Sequence, residues 1–376
     1  MQKKLKSINH GIKRILFIPV MLCFFALNTH GQSQKVMHIS FDDVHYVLQN
    51  LTVNKNTYQS IFENPMLNKL KLFHDTYGAV FSLYCFDEFE LSVGNVWRIE
   101  ALPTAFAQEF VQNSSWLKIG FHSRGTATGS AEYNIGYYNT FTTVMPDIEG
   151  RENCFDLIPR LHGFAGSLDF CKSLKNANPG LIGFLSADDT RASYYLNSTQ
   201  SSYINSNDSL HDLTNDLYFF RTEKRLESVS NINTFLAQYL TPAYASQANV
   251  MVIFTHENQL YSHYSGLNTT NGMLTKIDGC IKWAVANNYK FDYPMNIIKK
   301  APTSVNAIGI SDYISIKGNT ICSSEIGSLK VFNLSGALVF QQENVLSIDT
   351  NLSSGIYALQ FMGLDGGRTF KKFIIK

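Results

Sequence analysis

Short apolar runs that close on charged or imidazole side chains recur along the first three hundred positions of the chain. The sharpest is His38-Ile39-Ser40-Phe41-Asp42-Asp43-Val44-His45, an alternating segment too short for a helix, and it reads as a strand whose tip carries two adjacent carboxylates. Consecutive strand residues point to opposite faces, so Asp42 and Asp43 can serve one site only where the strand ends and the backbone turns. The same signature returns in Gly78–Phe86, in Trp116–Ser123 ending on His122, and in Leu157–Gly163 ending on Arg160 and His162. It returns again in Leu181–Asp189 ending on Asp188 and Asp189, in Asp216–Arg221, and in Val250–Glu257 ending on His256. Segments with helical spacing lie between them: Ile61–Leu72 after a loop from Tyr46, Pro103–Gln112, and Leu274–Asn287.

Apolar strands with polar tips, alternating with helices, are what a parallel (β/α) barrel produces, because its site is built where the strands end. A doubly wound open sheet would share the alternation, but no glycine-rich phosphate loop follows the first strand. The expectation is a barrel of seven strands instead of eight over residues 32–300. Near Lys299-Lys300-Ala301-Pro302-Thr303 the helical period disappears, and 301–307 reads as a linker. From Ile308 onward short alternating strands take over, at Tyr313–Ile316, Ser328–Phe332, Ala337–Phe340, Gly355–Phe361 and Phe370–Ile375. Residues 308–376 are therefore expected to form a small all-β sandwich of immunoglobulin-like type.

Composition narrows the compartment and the partners. Lys3, Lys4, Lys6, Lys13 and Arg14 precede the apolar run Ile15–Leu27, and small polar residues follow, so 1–31 reads as a secretory signal peptide. That run is too short for a membrane span, and no transmembrane helix is expected in the mature chain. Thirty-one basic and thirty acidic side chains leave a formal charge of +1, which gives no electrostatic reason to bind nucleic acid. Removing the leader removes Cys23 and leaves Cys85, Cys154, Cys171, Cys280 and Cys322, an odd and widely spaced set that is neither a disulfide scaffold nor a thiolate zinc site. Most read as small buried hydrophobes, with one pair open to oxidation in an exported protein.

Two resemblances rest on these residues. Val331-Phe332-Asn333-Leu334-Ser335-Gly336, then Leu352-Ser353-Ser354-Gly355-Ile356-Tyr357, then a terminal Lys-Lys-Phe-Ile-Ile-Lys, resemble the C-terminal sorting domain of the type IX secretion system. That resemblance implies export to the cell surface or medium and a partner in the type IX machinery. Over residues 35 to 295 the ordered motifs resemble those of the polysaccharide deacetylases. Ser40-Phe41-Asp42-Asp43 looks like the first motif, which implies Asp42 as general base and Asp43 as metal ligand. Gly120-Phe121-His122-Ser123 looks like the second, which implies His122 as a ligand, although Thr126 stands where that family has a second histidine. Pro159-Arg160-Leu161-His162 falls where the family places an arginine that pairs with the base, and His162 is the candidate replacement ligand. Val252–His256 resembles the last motif, which implies His256 as general acid. Together they imply a divalent metal, zinc first, and a poly- or oligosaccharide substrate.

Chemistry agrees with these residue types, since deacylating a sugar wants a cation on the carbonyl, a carboxylate for the water proton and an acid for the leaving atom. Each residue also has a plainer reading. Asp-Asp after a strand is common turn punctuation, His162 can be a packed imidazole, Arg160 a structural ion pair, and Asp188 and Asp189 a cap or substrate loop. His45, Glu257 and His263 are rim candidates only. Two alternatives stay open: a glycan-binding protein on a degenerate barrel, and a glycoside hydrolase pairing Asp42 with Asp188 or Glu257.

Overall fold

The computed structural model describes residues 35–92, 95–125, 133–144, 149–244, 247–262, 266–300, 314–317, 319–363 and 368–375. The expected signal peptide, the 301–307 linker, Thr126 and His263 lie outside them. Two compact units result, one running to Ser209 and from Thr214 to Met295, the other comprising Asn296–Lys376 with Leu210–Leu213. No helix among the described residues is long and apolar enough to cross a membrane.

The first unit is mixed α/β and is organised on a parallel sheet. Its parallel-paired strands are β1 (Val36–Val44), β2 (Phe81–Phe86), β3 (Leu117–Ser123), β4 (Gly183–Leu185), β5 (Leu217–Phe220), β6 (Lys224–Arg225), β7 (Val250–His256) and β8 (Lys290–Phe291). The main sheet runs β3-β2-β1-β7-β6, and β8 pairs with the start of β1. Strands β4 and β5 form a second parallel pair. Every residue of β2 and β3 is buried, which explains why their sequences read as continuous apolar runs rather than as alternations.

Between β3 and β4 the predicted strand Leu157–Gly163 does not form. Phe155 makes a lone parallel bridge to Ile119, the Asp156 amide donates to Ile119 O at 2.8 Å, and Ile182 and Leu185 donate to Leu157 O and Pro159 O at 2.9 and 3.0 Å. Pro159 has no amide hydrogen to give, which interrupts the ladder. The chain then turns through His162–Phe164, with Gly163 at φ 62°. Further round, Ser186 donates to Phe220 O and Glu223 to Val252 O, each at 2.8 Å.

Helices α1 (Tyr46–Val53), α2 (Pro65–Tyr77), α3 (Thr104–Gln112), α4 (Leu168–Lys175), α5 (Glu257–Leu260) and α6 (Met273–Ala286) are among those that accompany the strands. The expected helix over 61–72 is displaced. Asn64 caps the amides of Met66 and Leu67, Pro65 occupies the first turn, and Gly78 at φ 71° ends the helix. Met66, Leu67, Leu70 and Phe73 face the core from α2. Each such buried side chain contributes roughly 1.5–3 kcal/mol of transfer free energy. Helix α1 occupies part of the stretch expected to be loop, because what caps it is remote in sequence.

The second unit is all-β and antiparallel. Strands β9 (Ile314–Lys317), β10 (Thr320–Asn333), β11 (Leu338–Asp349), β12 (Gly355–Gly363) and β13 (Arg368–Ile375) belong to one hydrogen-bonded sheet rather than to the two sheets of the expected sandwich. The reason is β10: its early residues pair with β9 and its later ones with β12, while β11 follows it along the other side through several register shifts. One long, bulged strand thus does what two strands would do in a sandwich. Ile321, Leu329, Val331, Val345, Tyr357, Leu359, Phe361, Phe373 and Ile375 make its core.

All five described cysteines are free thiols. Cys85, Cys154, Cys171 and Cys280 are buried, and burial pushes Cys154 and Cys171 up to about 12, where a thiol is an inert apolar group.

Candidate functional site

The carboxyl-terminal tips of β1, β3 and β7, with the segment after Pro159, bring the sequence-predicted residues to one place. A cavity of about 160 Å³ is lined by Asp42, His122, Arg160, His162 and His256, together with Phe164, Arg191, Arg225 and Phe254. Parallel register sets the first relation, since Asp42 of β1 lies directly opposite His256 of β7. A second local event turns Asp43 toward the same site. The β1–β2 register slips between Phe41 and Val44, and Asp43 takes a left-handed φ of 58°. An aspartate tolerates that conformation far better than a bulky or β-branched residue would.

Asp42 and Arg160 form a buried pair. Arg160 Nη1 donates to Asp42 Oδ1 at 2.8 Å and to Ser40 Oγ at 3.1 Å, while Nη2 donates to Thr222 Oγ1 at 3.2 Å. The guanidinium lies 3.9 Å from the centre of the Phe254 ring, and the whole side chain has no solvent exposure. Such a charge is tolerable in the interior only because it is paired and hydrogen-bonded there.

Asp43 is surrounded by imidazoles. His122 Nε2 lies 3.1 Å from Asp43 Oδ1, and His256 Nε2 lies 3.9 Å from Oδ2. His162 sits beside His122, with ring centres 5.4 Å apart. Burial alone would raise the Asp43 carboxyl, but the hydrogen bond and charge of His122, with His256 and His162 behind it, bring it down to about 2. Burial would likewise lower His122, and the carboxylates of Asp43 and Asp42 with the Arg160 carbonyl outweigh it and raise it. Its Nδ1 is fixed by Arg160 O at 2.6 Å, so Nε2 is the nitrogen presented to Asp43.

That arrangement bears on a metal. An imidazole whose far nitrogen donates to a backbone carbonyl, and whose near nitrogen meets a carboxylate, places two lone-pair donors against one gap that a proton or a cation must fill. The donor chemistry of Asp43 and His122 therefore fits a divalent ion as two of its ligands. Among the described residues no group of three His, Cys, Asp or Glu side chains is arranged to hold one.

Two residues have positional roles that the sequence does not show: Glu227 carries no signal there, and Glu257 reads as a rim residue. Glu227 Oε1 accepts from both the backbone amide of His256 at 2.7 Å and its Nδ1 at 2.9 Å, which fixes the ring and leaves Nε2 toward the cavity. Burial would lower His256, but Glu227, Asp42 and Asp43 together raise it. Glu227 stands in no motif, so only the fold could find it. Glu257 follows His256 in the chain and turns the other way. Its carboxylate accepts from the amides of His45, Tyr46 and Val47 at 2.8 Å each, capping α1 from across the unit and anchoring the turn that carries Asp43. Burial pushes Glu257 up to about 7 against those three donors. Glu257 is therefore a support of the β1 tip rather than a rim residue. Asp188 accepts from the Arg225 backbone amide, and Asp189 is bidentate with Arg191.

Residues 310–376 match the family of secretion system C-terminal sorting domains. The chain thus carries a type IX sorting domain and is exported to the cell surface or the extracellular space. No curated protein matches the chain. Among solved structures, one similar chain is a DUF3244 family protein with an immunoglobulin-like β-sandwich from Bacteroides vulgatus, at 16% identity, 17% of this chain, 81% of that one and a TM-score of 0.15. Another, from Bordetella bronchiseptica, is described as a putative polysaccharide deacetylase involved in O-antigen biosynthesis, at 10% identity, 67% of this chain, 90% of that one and a TM-score of 0.34. At these TM-scores neither likeness bears on the chemistry of the site.

Proposed function

We propose that the chain is an exported hydrolase that removes acetyl groups from a glycan, with Asp42 as general base and His256 as general acid. The observation that supports this most is the convergence of a buried Asp42–Arg160 pair, an Asp43–His122 pair and a Glu227-oriented His256 on one cavity. Arg160 holds the Asp42 carboxylate in place while its second oxygen takes the proton of an attacking water. His256, raised by its carboxylate neighbours, then gives the Nε2 proton to the sugar oxygen or nitrogen as its bond to the acetyl carbon breaks. Acetate and a free hydroxyl or amine leave. Asp43 and His122 would hold a divalent metal, with His162, whose ring centre is 5.4 Å from that of His122, as the candidate third ligand, and zinc bound there would polarise the acetyl carbonyl.

This reading takes the first unit as a seven-stranded barrel. Its support is the run of backbone hydrogen bonds from β3 through Asp156, Ile182, Leu185, Ser186 and Glu223 back to β7. It also takes 1–31 as a cleaved leader, 32–300 as the hydrolase domain and 301–307 as a linker to the sorting domain of 308–376. The glycosidase alternative loses Glu257, whose oxygens are spent on three amides. The non-catalytic alternative keeps one observation in its favour, that Asp43 and His122 satisfy each other without a third donor among the described residues.

Purified mature protein, loaded with zinc, is expected to release acetate from an acetylated glycan, and Asp42→Asn and His256→Ala are each expected to abolish release while the fold persists. Absence of release across N- and O-acetylated glycans, with zinc absent from the protein after dialysis, would refute the hydrolase and leave the binding protein.

A further inference from the structure

The cavity wall away from Asp43 is cationic in a way that acetyl chemistry does not require. Its lining contains the guanidinia of Arg160, Arg191 and Arg225 and the imidazoles of His122, His162 and His256, against a single lining carboxylate, Asp42. Arg160 is paired with Asp42 inside the lining, whereas Arg191 and Arg225 pair with Asp189 and Asp188, which do not line this cavity.

These two are built in, and both are presented over aromatic rings. Arg191 lies 5.4 Å from the ring centre of Phe164 and Arg225 lies 5.7 Å from that of Phe254. The two rings meet edge to face at 6.3 Å in the wall of the cavity and hold the guanidinia in place. Each guanidinium is paired with one aspartate: Arg191 through Nε and Nη2 to Asp189, Arg225 through Nη2 to Asp188 at 3.4 Å. A guanidinium carries five N–H donors in a fixed fork, so a single aspartate leaves donors directed elsewhere. The Arg225 contact is long and single, and such a contact orients a side chain without saturating it.

Arg225 also lines a second, larger cavity of about 410 Å³, with Asp188, Asp189, Lys224, Glu227 and Ser228. The two cavities thus have Arg225 in common. A pair of ordinary surface salt bridges would explain Arg191 and Arg225 equally if they stood alone. Their placement over two aromatic rings, in the lining of the cavity that also holds the proposed acid, is what that explanation leaves out.

We infer that the glycan taken by this cleft is anionic, with an oxyanion on a sugar, a uronate carboxylate or a sulfate ester, held by Arg225 and Arg191 next to the residue that carries the acetyl group. Planar, forked recognition suits a carboxylate, and a sulfate presents similar oxygens. The inference rests on the glycan reading of the site and extends it to substrate class.

The test is direct binding, by calorimetry, to the full mature protein carrying Asp42→Asn, so that turnover does not interfere. Three acetylated oligosaccharides are compared: a polygalacturonate fragment, a sulfated galactan fragment and a neutral xylan fragment. The expected result is that one or both anionic ligands bind at least about tenfold more tightly than the neutral one, with the advantage reduced at high salt. Arg225→Gln and the half-exposed Arg191→Gln are each expected to remove most of that advantage. The pair of variants guards against misfolding at the more buried position. Equal binding of neutral and anionic fragments, retention of the anionic preference in both variants, or no binding to any glycan overturns the inference. If anionic fragments bind as expected and the Asp42 enzyme still releases no acetate from them, the hydrolase reading fails and this inference stands.

Discussion

His38 offers the cleanest pH experiment in the first unit, because its charge is excluded by burial and its effect can be isolated by difference. It lies on β1, four residues before Asp42, with no solvent exposure. Its Nε2 is 3.4 Å from Tyr84 Oη and 3.8 Å from Asp156 Oδ2, and Asp156 is held by Ser82 and Tyr84. Burial brings the imidazole from its ordinary 6.5 down to about 4, against the pull of Asp156. A base depressed on folding is protonated more readily in the unfolded chain, so its contribution is complete above 6.5 and is lost as the pH falls through about 4. At roughly 1.4 kcal/mol per decade, the interval amounts to about 3 kcal/mol. The assay is urea unfolding followed by tryptophan fluorescence. Trp97, Trp116 and Trp283 all lie in the first unit, so the signal reports that unit alone. His38→Asn should be less stable than wild type at pH 8 through lost packing against Tyr293, whose ring centre is 5.5 Å away. Between pH 7 and pH 4 the stability gap between the two proteins should shrink by about 3 kcal/mol, because only wild type must admit a proton. Parallel loss of stability in both proteins over that range would refute the assignment.

Further expectations concern the site and its supports. Replacing Arg160 with Met leaves the buried Asp42 carboxylate without its partner and should cost about 3–5 kcal/mol in urea unfolding, while Asp42→Leu added to it should recover part of the loss. Failure of the second substitution to recover anything would show that the pair is not the unit that matters. Glu227→Gln removes a carboxylate that raises His256, so the alkaline limb of acetate release should move to lower pH and turnover at alkaline pH should fall on the order of tenfold; an unmoved limb would exclude His256 as the acid. Gly120→Ala would place a Cβ 2.6 Å from Cδ1 of the fully buried Tyr84, whose hydroxyl is tied to Asp156, and should cost about 1–3 kcal/mol in the same unfolding assay.

Legibility varies with how local each cause is. Strands β1, β2, β3 and β7 can be read because each is a short apolar run with a polar tip, and the change of character near residue 300 can be read because a period of 3.6 gives way to a period of 2. The segment Leu157–Gly163 misleads because its apolar run contains Pro159, which breaks a ladder without changing hydrophobicity. Helix α1 escapes notice because its cap, Glu257, lies about two hundred residues away. The sandwich expectation has the right kind of strands, but no local pattern shows that β10 is long and bulged enough to gather all the others into one sheet.

The candidate site divides along the same line. Residue types and their order, Asp42-Asp43, His122, Arg160, His162 and His256, were legible from the chain, because chemistry restricts which side chains can hold a cation or move a proton. What only tertiary structure decided was the relation among them: register put Asp42 opposite His256, a slip and a left-handed residue turned Asp43 inward, and Glu227 and Glu257 were recruited without any motif. A sequence records which groups exist, but pairing register and remote hydrogen bonds depend on packing between segments far apart in the chain, and distances at a site are set there.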